Sequence, residues 1–249
     1  MMMGNISGLR KEKMEKKTEL EYFLNMVDKA TCVVTGDLLS EEMPINTYVL
    51  EDKKEDEKAL VEKPKAGVKT IRSFNSQFAD CHSCPNCVGR ERIYSGLGSP
   101  VPLAAFIGDG PMASDRAKGM IFSGPEGDAL FKWIASIKLT RDEFYITNLV
   151  KCLNIKRVSS FPCVQEMKEE MSILRPKAIL LLGQFAAQSL FNEKKSIEEY
   201  RKQGVIYFEN IPLLVTYHPR DTLKNPALKK AVWQDLQFFS QIIGIEGRR

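Results

Sequence analysis

Leu103-Ala-Ala-Phe-Ile107, running straight into Gly108-Asp109-Gly110-Pro111, is the stretch that decides the fold. A short apolar run closed by turn formers reads as a strand buried on both faces. Three further runs repeat the pattern: Phe144–Val150, Ala178–Leu182 and Leu213–Tyr217. Helical stretches separate or follow them at Ala129–Ile137, Val164–Leu174, Phe185–Phe191 and Ala227–Ile243. Strands and helices in alternation predict a parallel sheet with helices on both faces. The expected fold is a three-layer α/β/α domain with a central four-stranded, mainly parallel sheet. Its polar oddities fall at one end. Asp109 follows the first run, Asn148 lies near the end of the second, Gly183-Gln184 ends the third and His218-Pro219 ends the fourth. Ligands of such sheets bind beyond the carboxyl ends of the strands, so these groups converge on one pocket.

Upstream the organisation changes. Residues 1–40 read as a helical N-terminal extension, with Leu20, Phe23, Leu24 and Val27 at helical spacing after a Lys/Glu-rich lead-in. That helix suits docking to a protein partner. Residues 41–72 have the composition of a charged linker, dense in Glu, Asp and Lys and poor in large apolar side chains. Residues 73–249 form the compact domain. At 43% hydrophobic and 27% charged, the 249-residue chain can bury a substantial core. A net charge of +4 permits contact with a polyanion without requiring it. No apolar run approaches the roughly 20 residues of a membrane span, and the start lacks the apolar stretch of a signal peptide. The expected compartment is therefore the cytoplasm.

In a reducing compartment, grouped cysteines point to metal binding rather than disulfides. Cys81 and Cys84 are two residues apart, and Cys152 and Cys163 close the set from distant sequence. An iron–sulfur cluster, a structural zinc ion and plain buried thiols are the three readings of that pattern. Cys87 is a fifth thiol that can compete with Cys84. The run Cys81-x2-Cys84-x2-Cys87 suits a ferredoxin, but Glu91 stands where a fourth thiol is needed. Cys32 reads as an ordinary cysteine.

Five ordered motifs between Cys81 and Ile243 resemble those of the iron–sulfur (family 4) uracil-DNA glycosylases. Gly108-Asp-Gly-Pro-Met-Ala-Ser-Asp115, with Gly119-Met-Ile-Phe122-Ser-Gly124, is similar to GEAPGxxED…GxPFVG. Tyr145-Ile-Thr-Asn148-Leu-Val-Lys151-Cys152 resembles YITNvvKC, and Pro176-Lys-Ala-Ile-Leu-Leu-Leu-Gly183 resembles PkvIvaLG. Thr216-Tyr-His218-Pro219, Leu223-Lys-Asn-Pro226 and Val232-Trp-Gln-Asp-Leu236 are similar to TyHPsyLLRNP and its closing helix. The resemblance implies a [4Fe–4S] cluster on Cys81, Cys84, Cys152 and Cys163. Hydrolysis of an N-glycosidic bond needs no electron transfer, so the cluster's expected task is structural: to pin the segment after Asn148 to the start of the domain.

The resemblance also implies roles in the pocket. Asp109 is the anion expected to face the sugar's C1′ and orient water, in place of the usual Glu. His218 is the expected donor to uracil O2, where charge grows as the base leaves. Asn148 can accept from uracil N3–H and donate to O4, the reverse of what cytosine offers. Gly108 and Gly110 line the turn, Phe122 is expected to stack on the flipped base, and Asp115 to crowd its C5 edge. Met112 stands where the motif has glycine. Arg220, Leu223 and Lys224 are expected DNA contacts, Leu223 as a wedge, with Lys229 and Lys230 as further phosphate contacts. Each has a blander reading: Asp109 as a turn cap, His218 as a capping or core histidine, Asn148 as an ordinary strand-end asparagine, Phe122 as core, the basic cluster as a solvated face.

The expected activity is monofunctional uracil-DNA glycosylase, working by base flipping on single- or double-stranded uracil-containing DNA as a monomer. No lysine occupies an obvious Schiff-base position. A branch that captures the abasic product through a loop histidine is disfavoured, because no histidine lies between Cys152 and Cys163. The rival readings are a weakly catalytic DNA-binding module of the same fold and a glycosylase of broader specificity.

Overall fold

The computed structural model describes residues 70–154 and 163–248. The helical extension 1–40, linker residues 41–69, Cys32 and loop residues 155–162 lie outside the described residues. Thr70–Arg72, the tail of the expected linker, already belong to structure. Thr70 caps helix α1 (Ile71–Phe78), its side chain accepting from the Ser73 N–H.

From there the chain passes a 3-10 turn (Pro85–Cys87) and strands β1 (Arg90–Ile93), β2 (Leu97–Gly98) and β3 (Ala104–Gly108). Helices α2 (Ala113–Lys118) and α3 (Pro125–Ser136) lead to β4 (Phe144–Asn148) and β5 (Cys152–Asn154). Next come α4 (Val164–Leu174), β6 (Ala178–Leu182), α5 (Gln184–Phe191), α6 (Ile197–Gln203), β7 (Ile206–Phe208) and β8 (Ile211–Thr216). Helices α7 (Pro219–Lys224) and α8 (Lys229–Ile242) complete the order.

The main sheet has the order β2-β4-β3-β6-β8-β7. Its four inner strands are parallel and are the four read from the sequence. The sheet is nevertheless six-stranded, because β2 and β7 add antiparallel edges. Two and three residues long, these edges are too short to show an alternating pattern. A separate ribbon pairs β1 with β5, placing Ile93 opposite Cys152.

Every residue of β3, β4 and β6 is buried, as a sheet covered on both faces requires. Phe106 on β3 meets Phe144 and Phe239 edge-on, at centroid separations of 6.4 and 5.8 Å, which joins the sheet to α8. Local chemistry sets the helix starts. Pro125 and two acidic residues open α3, and Ser196 with Glu199 forms a capping box on α6. A second, small core gathers Phe74, Phe78 and Cys163, with Ile71, Cys81, Ile93 and Ile173 packed against it. Among the described residues no helix is long and apolar enough to cross a membrane.

Candidate active site

Register brings the polar strand ends together. Gly108 pairs with Asn148 across β3 and β4, and the Leu149 and Val150 N–H groups donate to the Gly108 and Asp109 carbonyls at 2.8 and 3.0 Å. On the other side, the Gly183 N–H donates to the Thr216 carbonyl, drawing the end of β6 to the end of β8 just before His218. Two glycines are required by close approach. A Cβ on Gly108 would fall 2.6 Å from both Asn148 Oδ1 and Phe122 Cζ. Gly183 has φ +98°, and a Cβ there would press on Asp109 Oδ1 and His218 Cβ at 3.1 Å.

Asp109 is held on both oxygens. The Ala186 N–H, in the first turn of α5, donates to Oδ1 (3.1 Å), and Arg220 Nη2 donates to Oδ2 (2.8 Å). Burial raises its carboxyl above the ordinary range, while the Arg220 charge opposes the rise and Asp221 adds to it. His218 is 2% exposed. Its Nδ1 accepts from the Arg220 backbone N–H (3.1 Å), which leaves Nε2 to carry the ring proton. Burial, helped by the Arg220 charge, holds His218 down to about 3, so the imidazole is neutral near neutral pH. It therefore both caps α7 and presents an N–H donor.

Asn148 is 3% exposed, and its Oδ1 has no hydrogen-bond partner. A buried acceptor left unpaired is costly, and such an atom among convergent polar groups marks a place for a donor. The Phe122 ring stacks on His218, with centroids 6.2 Å apart and planes 21° from parallel. Its backbone sits at φ 52°, a conformation that side-chain-bearing residues seldom adopt and that the surrounding packing must enforce.

Asp115 is brought near this group but is fully engaged. It accepts from the Met112 N–H, the Ser123 N–H and the Ser123 hydroxyl at 2.8, 2.8 and 3.0 Å, and is 1% exposed. In this arrangement its carboxylate caps α2 and ties down the turn that carries Phe122. Gly110 packs on Val150, where an added Cβ would lie 3.1 Å from the valine Cβ. Leu223 is an exposed large apolar side chain on α7, and Lys224 is exposed beside it. Lys229 and Lys230 open α8. Arg220 turns inward to Asp109.

The cysteines come together from three segments. Cys81 and Cys84 lie before β1, Cys152 opens β5, and Cys163 starts α4. Burial raises Cys152, with Cys84 and Cys81 adding to the rise, and pushes Cys163 up to about 12 with a contribution from Cys152. Cys152 is thus within electrostatic reach of the other three, and all are free. Among the described residues no three His, Cys, Asp or Glu side chains converge as ligands of one ion do. Cys87 ends the 3-10 turn, its N–H donating to the Cys84 carbonyl (3.1 Å).

Several residues in this region were not singled out by pattern. Arg90 donates to the Cys81 carbonyl and bears on Cys152. Lys151 and Glu170 form an ion pair at 2.5 Å with side chains 1% and 0% exposed, joined by the Thr147 hydroxyl and by Tyr145 Oη donating to Glu170 Oε1 at 2.9 Å. A lysine three residues after Asn148 and one before Cys152 carried the only advance signal. Its partner, nineteen residues on, had none.

Comparison with known proteins agrees with this architecture. A family model described as the uracil DNA glycosylase superfamily matches residues 95–237, from the start of the sheet into α8. The chain is 27% identical over 180 residues to the type-4 uracil-DNA glycosylase of Archaeoglobus fulgidus, covering 68% of this chain and 90% of the relative. It is 27% identical over 183 residues to the type-4 enzyme of Pyrobaculum aerophilum, covering 68% and 92%. With that of Saccharolobus solfataricus the identity is 28% over 170 residues, covering 63% and 79%. The matched span contains every strand of the main sheet and all the pocket residues described above, and on that ground the chain belongs to the uracil DNA glycosylase superfamily.

Proposed function

We propose that the protein is a monofunctional uracil-DNA glycosylase that hydrolyses the N-glycosidic bond of deoxyuridine in DNA, the first step of base-excision repair. The single observation that carries this reading is the unpaired, buried Asn148 Oδ1 at the strand ends where Asp109, Phe122 and His218 also gather. Uracil N3–H is the donor that atom lacks, and the amide's N–H₂ can donate to O4. Cytosine would set acceptor against acceptor and leave buried groups unpaired. Inside a duplex the base is out of reach, so the nucleotide must be extruded, with Leu223 filling the gap and Lys224, Lys229 and Lys230 on the backbone. Phe122 offers a face for the extruded base, a contact worth about 1–3 kcal/mol. As the bond breaks, neutral His218 donates from Nε2 to the oxygen that gains charge. Asp109 faces the cationic sugar and orients the attacking water. Such an enzyme would work in the cytoplasm, at the nucleoid.

We further propose that Cys81, Cys84, Cys152 and Cys163 hold a [4Fe–4S] cluster. The donor set fits: four free thiols from three segments, two of them, Cys152 and Cys163, buried and held protonated unless a cation lies beside them. When bound, the cluster would supply a rigid cross-link between the start of the domain and the segment after Asn148.

Single-turnover release of free uracil from a uracil-containing oligonucleotide tests the function, with Asn148→Asp as the informative variant. The wild-type protein is expected to release uracil and leave the strand intact. Asn148→Asp is expected to lose uracil excision and to gain activity on cytosine. Undiminished uracil release by that variant would move base recognition elsewhere.

A further inference from the structure

Arg220 touches both groups assigned to the two halves of the glycosidic bond. Its Nη2 donates to Asp109 Oδ2 at 2.8 Å, and its backbone N–H donates to His218 Nδ1 at 3.1 Å. Its Nη1 lies 3.6 Å from Met112 Sδ. Asp109 and Met112 are two of the places where this chain departs from the motif, and Arg220 contacts both.

We propose that Arg220 is a positioning residue for the reaction, holding Asp109 aimed and anionic with its side chain and His218 as a neutral Nε2–H donor with its backbone. The inference rests on the glycosylase reading above. Aspartate has a short arm and cannot swing to find a partner, whereas an arginine on the next-door helix can reach it. The Asp109 side chain is 13% exposed, so burial favours its protonated, inactive form. Of the groups facing it, Ala186 N–H and Arg220 stabilise the anion and Asp221 opposes it; His218 nearby is neutral. Arg220 is the one cation in that set. The same charge adds to burial in disfavouring protonation of His218, so one guanidinium biases both groups in the sense the reaction needs. Met112 Sδ stands against the other arm of the guanidinium and limits where it can go.

The test compares wild type with Arg220→Gln and Arg220→Lys by single-turnover uracil release across pH, and by ¹³C NMR titration of the Asp109 carboxyl without DNA. Removing an opposite charge within about 4–6 Å commonly changes a carboxyl's proton affinity roughly 10- to 1,000-fold. Arg220→Gln should therefore move the acid limb of the profile to higher pH and lose about tenfold or more in rate below it, with recovery as pH rises. Its Asp109 resonance should titrate at higher pH than in wild type, and Arg220→Lys should restore part of both. An unmoved limb and an unmoved titration, with weaker DNA binding and a smaller salt slope, would overturn the proposal and make Arg220 a phosphate contact. Should the wild-type protein release no uracil, the glycosylase reading fails, while the Asp109 titration still decides Arg220's hold on the carboxylate.

Discussion

At the carboxyl edge of the sheet, Asp109, Asn148 and His218 stand at the ends of strands whose inner residues are buried in the main core. Cys81, Cys84, Cys152 and Cys163 instead hang from a short two-stranded ribbon and a satellite core with three buried members, Phe74, Phe78 and Cys163. The difference teaches where rigidity comes from in each place. The pocket inherits its geometry from strand register and close packing, which the fold maintains anyway. The thiol corner has little apolar area to hold it and gains most from a cross-link. Between them lies the buried Lys151–Glu170 pair: Lys151 sits between Asn148 and Cys152, and Glu170 on the helix that Cys163 begins. It is the physical joint between the two regions.

Breaking that joint has the largest expected effect. Lys151→Met leaves Glu170 charged and unpaired in the interior and should cost about 3–5 kcal/mol of stability, measured as a lowered urea midpoint. Adding Glu170→Leu should return most of that loss, because the uncompensated charge is gone. An undiminished midpoint in the single variant would mean that the two regions are not coupled through this pair.

Next come variants that should separate the regions. Asp109→Ala and His218→Ala should each lower single-turnover uracil release by about 10²–10³, roughly 2.7–4 kcal/mol, while largely keeping affinity for uracil-containing DNA. Because the two groups act on one bond, the double variant should lose less than the product of the two. Cys163→Ser should do the reverse in order of cause: lost iron and visible absorbance first, lowered melting temperature and activity after. Cys32→Ser should change neither. Stoichiometric zinc without iron in anaerobically purified protein would refute the cluster.

A further effect is one of pH. Burial holds His218 to about 3 against an ordinary 6.5, so between those values the unfolded chain binds a proton that the folded one refuses. Stability is therefore fully present above about 6.5 and falls as pH drops toward 3, at up to about 1.4 kcal/mol per pH unit. Asp109 works the other way, since its raised carboxyl gains a proton more readily when folded, and it offsets part of that slope. His218→Gln should flatten the melting temperature between pH 6.5 and 4 if the assignment is right. An unchanged slope would show that His218 is not held neutral by burial.

How much was legible in advance differs between regions for the same reason. The four parallel strands announced themselves because burial on both faces demands continuous apolar residues, and the polar residues after them stood out by contrast. The edge strands β2 and β7 left no such mark, since two or three residues cannot show a period. Asp115 stood out by its place in a motif, but that Met112 and Ser123 bind its oxygens was not legible there. Arg220 stood out by its charge, but that it reaches Asp109, 111 positions away in sequence, was not legible there.

The sequence alone determined that this chain builds a parallel α/β sheet, that Asp109, Asn148 and His218 would meet at its carboxyl edge, and that its thiols are grouped. Those are matters of period, spacing and residue type, which the linear order carries. Only the tertiary structure decided what each polar group is bonded to: that Asn148 Oδ1 has no partner, that Lys151 is neutralised by Glu170, and that Arg220 sits on Asp109. Hydrogen bonds and ion pairs act over about 3 Å, and which side chains come that close depends on how distant segments pack, a quantity no local pattern encodes.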